Sequence, residues 1–249
     1  MGIRYYLSGC AHTNTFGSLL GECLKHDIRK TGSLVFIAGE PDNKHTTDVA
    51  AQWFTRELKS IEKVFEKVYS ISKKTPPHLA RKWVRNADMI VLLGGNPIEQ
   101  KKMCRKMKIW RILRDFEGIM LGMSAGAMNM SQYVMVLPIS DEYPDFNIVP
   151  GLNKDGISIY PHNNTAESDY PEFIDLGNGE VYQRKDIIEA SDDAGPFLLL
   201  QDLHEEIDGA DVCHHSFVRA SDFEIDVMYE NDARAWIANG VFIEHVELI

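Results

Sequence analysis

The apolar residues of this chain follow two patterns, and the change from one to the other falls near residue 138. Before it, short apolar runs alternate with longer stretches of helical period. "IRYYLS" (3–8), "SLVFIAG" (33–39), residues 65–71, "DMIVLLGG" (88–95) and "EGIMLGM" (117–123) read as buried strands. "TFGSLLGECLKHDIRKTG" (15–32) reads as a helix with Gly32 at its C-cap. Val49, Trp53, Phe54, Leu58 and Ile61 recur at three- and four-residue spacing and predict an amphipathic helix. Thr46 or Thr47 would cap it, and Asp48 suits its positive N-terminus. "PPHLARKWVRNA" predicts a short helix opened by proline, and "KKMCRKMKIWRILR" (101–114) a basic one. Five strand–helix alternations predict an α/β fold, a mostly parallel sheet flanked by helices on both faces. In such sheets the crevice lies at the carboxyl ends of the strands, where Gly94-Gly95-Asn96 and Ser124 both fall.

After residue 138 the runs shorten. "GISIYP" and "PFLLLQDL" read as strands between turns rich in Asp, Asn and Gly. "ARAWIANGVFIEHVELI" predicts a C-terminal β-hairpin turning at Asn239-Gly240. With no linker, repeat or low-complexity run, the change of pattern predicts a change of topology within one domain over residues 1–249.

The richest local signal is "EGIMLGMSAGAMNMS" (117–131), where an apolar run ends in Gly122-x-Ser124-x-Gly126 and a run of small residues follows. A serine on a tight strand-to-helix turn needs small neighbours two residues to either side, and both positions are glycine. The following helix would aim its N-terminus at the site, where the Ala125 N–H can face an oxyanion. Glycine-rich turns also cradle phosphates or simply let a strand pack on a helix. This one lacks both the lysine of a P-loop and a third glycine in the GxGxxG spacing. A serine hydroxyl needs a base, and His162, directly after the strand in "GISIYPHNNT", is the candidate.

Charge is divided unevenly: residues 1–138 sum to +9 and residues 139–249 to −20, for a net −11. An acidic total argues against a nucleic-acid partner, so the basic 101–114 segment reads as a solvated face or one matched to the acidic half of this or a neighbouring chain. A homodimer is one arrangement that would use it. No apolar run approaches the roughly 20 residues of a membrane helix, and the first residues lack a secretory apolar core. Four scattered cysteines (Cys10, Cys23, Cys104, Cys213) argue against a zinc site or disulfide scaffold and fit a reducing cytoplasm. Cys213-His214-His215 finds no second cluster to complete a metal site and reads as ordinary strand or loop.

Taken together, "LLGGNPIEQ", "GMSAGA" and "IYPHNN" resemble the peptidase E and cyanophycinase family of serine peptidases over roughly residues 3–205. The resemblance implies a class I glutamine amidotransferase-like (flavodoxin-like) fold and a serine hydrolase that cleaves a small peptide without a metal or organic cofactor. It implies Ser124 as nucleophile, His162 as base, and backbone N–H groups of Gly95 and Ala125 as the oxyanion hole. For the third triad member it points to Asp202 in "PFLLLQDLHEE", with Glu205, Asp141 and Glu142 as alternatives. Asn96, Asn163 and Asp169 are candidates for the substrate pocket. Aspartyl dipeptidases of this family carry an arginine shortly after the histidine; "AESDYPEF" has Asp169 there, which puts aspartyl specificity in doubt. Two other readings compete. An esterase-type α/β hydrolase would take its base from the late histidines His204, His214, His215 or His245. A non-enzymatic domain of the same fold would bind a ligand or partner in its pocket.

Overall fold

The computed structural model describes residues 2–9, 16, 18–136, 147–163, 173–175, 181–207, 210–222, 224–229, 233–239 and 243–246. In chain order its elements begin with β1 (Ile3–Leu7), α1 (Ser18–Asp27), β2 (Ser33–Gly39), α2 (Lys44–Ser60), β3 (Lys67–Ile71), α3 (Pro77–Arg85), β4 (Met89–Gly95) and α4 (Pro97–Lys106). They continue with α5 (Trp110–Arg114), β5 (Ile119–Met123), α6 (Ala125–Met130), β6 (Tyr133–Val136), β7 (Asn147–Pro150) and β8 (Ser158–Asn163). The last are β9 (Phe173–Asp175), β10 (Val181–Gln183), α7 (Arg184–Ala194), β11 (Phe197–Ile207), β12 (Ala210–Ala220), β13 (Ile225–Tyr229), β14 (Ala235–Ala238) and β15 (Ile243–His245).

The five strands expected from the first half form the parallel part of one sheet, in the order β3-β2-β4-β5-β1. Every residue of β2 is buried, because helices cover both faces. Side-chain alternation divides the core accordingly. Leu34 and Phe36 pack with α1 and α2 residues such as Leu24 and Phe54, whereas Val35 and Ile37 pack with Val84, Met103 and Leu113 of α3 to α5. The second half extends the same sheet. β12 pairs antiparallel with β1, β11 with β12, and β14 with β11, while β8 runs parallel to β11. At 11 residues each, β11 and β12 are long strands rather than the short ones their turn-rich surroundings suggest. Cys213-His214-His215 is a segment of β12. Among the described residues no helix is long and apolar enough to cross a membrane.

Three local expectations are revised, and a fourth, the C-terminal hairpin, is met. α1 stops at Asp27, five residues short of Gly32, and the Asp27 carboxylate turns inward to accept from Tyr5 Oη and from Arg219 (Nε 2.8 Å, Nη2 3.1 Å). Gly32 is instead small because a methyl there would approach Asp88 Oδ2 to 2.7 Å. The cap of α2 is Asn43, whose side chain accepts from Thr46 N–H, while Thr47 Oγ1 donates back to Asn43 O. The basic segment is two helices, broken where Lys108 takes φ 60°. The C-terminal strands do pair as an antiparallel hairpin, with Ala238 opposite Ile243. Gly240, the second residue of the predicted turn, lies outside the described residues.

The Asp27 cluster sets a pH response. Burial opposes its charge, but hydrogen bonds from Arg219, Tyr5 and His26 outweigh burial and hold the carboxyl below its ordinary value. The ionised group therefore contributes stability above the unfolded carboxylate value of roughly 4. That contribution disappears as pH falls through the lower folded value. Replacing Asp27 by Asn is expected to cost about 1–2 kcal/mol near neutral pH, because it leaves the Tyr5 hydroxyl and the partly exposed Arg219, which keeps Asp226 at 3.6 Å, without the buried carboxylate. It should also flatten the fall of the thermal midpoint in acid. A variant with the native acid profile in calorimetry would remove Asp27 from this role.

Candidate active site

Ser124 is the hinge between β5 and α6. It sits at φ 49° and ψ −114°, a region a residue with a Cβ rarely adopts. Its N–H donates to Leu7 O at 3.0 Å and its carbonyl accepts from Met128 N–H at 3.0 Å, so both neighbours of the turn are tied down. The two glycines are required by contact. A methyl at Gly122 would lie 2.6 Å from Ala127 N, and one at Gly126 would lie 2.1 Å from Leu92 O. The backbone of α6 thus rests directly on β4 and β5. Ser124 makes no side-chain cap to its own helix, which leaves the hydroxyl for another partner.

That partner is His162. Its Nε2 stands 2.6 Å from Ser124 Oγ, and its Nδ1 2.7 Å from Asp202 Oδ2. The imidazole is partly open to solvent at the rim, while the Asp202 side chain is only 4% exposed. His162 lies on a β-bulge. The β8–β11 register runs Leu199 opposite Tyr160, then Gln201 opposite Asn163, so Pro161 and His162 face the single residue Leu200. Proline has no N–H to give the ladder, which favours a break at this point. His162 itself takes φ 60°. Its backbone N–H donates to Ser8 Oγ at 2.7 Å, and Ser8 Oγ donates to Leu200 O at 3.0 Å.

Of the four acids open from the sequence, Asp202 is the one on His162. Asp141 and Glu142 lie outside the described residues, as does the Glu205 side chain. The side chains of the late histidines of the esterase reading, His204, His214, His215 and His245, lie outside the described residues. Asp202 Oδ1 is buried without a hydrogen-bond partner among the described residues. Gly94 and Gly95 end β4 beside the serine: a methyl on Gly94 would be 3.3 Å from Ser124 Cβ. Gly95 takes φ +136°, open to glycine, and a methyl there would strike Gly39 and the Glu40 side chain. Ala125 is the first residue of α6. Asn96 has a definite job as the cap of α4, its Oδ1 accepting from Ile98 and Glu99 N–H at 2.9 and 3.1 Å. The Asn163 side chain and Asp169 lie outside the described residues.

Sequence reading missed a buried amide pair behind the site. Asn129 Nδ2 donates to Gln100 Oε1 and to Pro97 O, both at 2.9 Å, and Gln100 Nε2 reaches Leu93 O at 3.0 Å. The pair ties α6, which starts at the serine, to the strand end that carries Gly94 and Gly95. It also missed Ser8 and Gly9. The one available signal was a polar residue at the carboxyl end of a buried strand on the crevice rim.

No family model and no curated protein matches the sequence. Solved structures do match the fold. The chain is similar to a crystal structure of a peptidase from an acI-B1 Actinobacterium, with TM-score 0.66 and 14% identity, covering 99% of this chain and 94% of that one. It is also similar to a Listeria monocytogenes EGD-e protein described as a "Putative Peptidase E Protein", with TM-score 0.58 and 12% identity, covering 93% of this chain and all of that one. The fold is peptidase E-like.

Because Gly126 meets backbone rather than a movable side chain, Gly126→Ala must lift α6 off β4. The expected loss is about 3 kcal/mol, read as a lower urea midpoint. Native stability in that variant would mean that α6 does not pack as described.

Proposed function

We propose that the protein is a serine hydrolase of peptidase E type, which cleaves a small, dipeptide-like substrate through an acyl-enzyme on Ser124. The observation that carries this reading is the unbroken hydrogen-bond chain Ser124 Oγ–His162 Nε2–His162 Nδ1–Asp202 Oδ2, at 2.6 and 2.7 Å. Ser124 Oγ attacks the scissile carbonyl carbon as its proton passes to His162 Nε2. Asp202 accepts from Nδ1–H, which keeps Nε2 free as the acceptor and stabilises the imidazolium that forms. The N–H groups of Gly95 and Ala125 face the developing oxyanion. His162 then gives its proton to the leaving amine, and a water activated by the same imidazole releases the acid product. Backbone strain at both Ser124 and His162 fits a site whose geometry is held by its surroundings.

The substrate side rests on charge. Asp169 stands where aspartyl dipeptidases place a cation, and residues 139–249 sum to −20, so a neutral or cationic N-terminal residue is favoured over aspartate.

A fluorophosphonate probe is expected to label the native chain and neither Ser124→Ala nor His162→Ala. Asp202→Asn should retain binding while kcat falls on the order of 10⁴-fold. A folded, accessible native chain that never labels would overturn the reading. Among dipeptides, Lys-X and neutral-X should exceed Asp-X in kcat/KM; the reverse order would sink the charge argument and leave the serine chemistry standing.

A further inference from the structure

We propose that Ser8 and Gly9, directly after β1, are the positioning element of the triad, an inference that rests on the hydrolase reading above. The bulge in β8 sets His162 N–H and Leu200 C=O opposite each other at the place where the ladder shifts register. Ser8 Oγ fills that gap: it accepts from His162 N–H at 2.7 Å and donates its own proton to Leu200 O at 3.0 Å. A hydroxyl has one proton and two lone pairs, so the two bonds together assign its orientation. Ser8 is fully buried, and water cannot readily replace it. Its bond holds the backbone of His162 at φ 60°, and with it the direction of the imidazole.

The residues on either side of Ser8 reach the other two triad members. Leu7 O accepts from Ser124 N–H at 3.0 Å. Gly9 leaves the room in which the carboxylate meets the imidazole: a methyl there would lie 2.4 Å from Asp202 Oδ2 and 3.2 Å from His162 Cε1. Three consecutive residues of one strand end therefore gauge nucleophile, base and acid against one frame. Neither Ser8 nor Gly9 touches the reacting atoms in this scheme; they act through His162 and Asp202.

The test uses Ser8→Ala and Gly9→Ala in the full chain, with Asp202→Asn for comparison. Two readouts are needed: the rate of fluorophosphonate labelling, and the far-downfield proton resonance of His162 Nδ1–H hydrogen-bonded to Asp202. Ser8→Ala is expected to label about 100-fold more slowly and to broaden or lose the resonance. Gly9→Ala meets only side-chain atoms, the Asp202 carboxylate and His162 Cε1, so it should fold and match Asp202→Asn in both readouts. A Ser8→Ala protein with a lowered thermal midpoint but native labelling and resonance would overturn the proposal, leaving Ser8 a structural residue. Should Ser8→Ala fail to fold, Gly9→Ala decides, and an unchanged resonance there overturns the proposal equally. A native chain that shows the resonance but does not label, with the resonance lost in Ser8→Ala, would refute the hydrolase reading and uphold the positioning role.

Discussion

Holding a serine in a left-handed turn between a strand and a helix is the constraint around which this structure is arranged. Such a conformation costs on the order of 1–3 kcal/mol and persists only where packing over-determines it. Here the packing is backbone against backbone. α6 lies so close to β4 and β5 that Gly122 and Gly126 have no room for a side chain, and Leu7 O fixes the serine N–H from the neighbouring strand. The fully buried Gln100–Asn129 pair then locks α6 to the end of β4.

The remaining chemistry comes from strands that join this frame by a different route. β8 and β11 belong to the second half of the chain, and β12 attaches them to the free edge of β1. The site therefore spans the junction between parallel and antiparallel parts of one sheet. A bulge turns His162 out of β8 toward the serine, and Asp202 lies two residues beyond Leu200, on the same face of β11. Tolerance for small errors is low in such an arrangement, because Ser124, His162 and Asp202 are each delivered by a separate strand. Direct ties between those strands, of the kind Ser8 makes, are what a scaffold of this type requires.

Much of this was legible along the chain. The parallel strands follow from five apolar runs separated by helical period, and the elbow from glycines at fixed offsets around Ser124. His162 stands out because it follows a strand on the same rim. Where local reading failed, a competing side chain took the role. Asn43 outranks Thr46 and Thr47 as a cap because its oxygen reaches the Thr46 N–H from one turn earlier. α1 ends at Asp27, before Gly32, and the Asp27 carboxylate is held by Arg219, a residue 192 positions away. Lys108 interrupts the basic helix so that Ile109 and Leu113 can turn into the core.

The sequence by itself determined the α/β pattern and the glycine-flanked serine turn, because each is encoded by periodicity or by residues at short, fixed spacing. Only the tertiary structure decided that His162 meets Ser124, which carboxylate meets the imidazole, what braces the end of β4, and what closes the bulge. Those choices depend on contacts such as Asp202 with His162, Gln100 with Asn129, and Ser8 with His162, separated by 40, 29 and 154 residues. Nothing in a local pattern specifies them; they exist only once the second half of the chain has added its strands to the edge of β1.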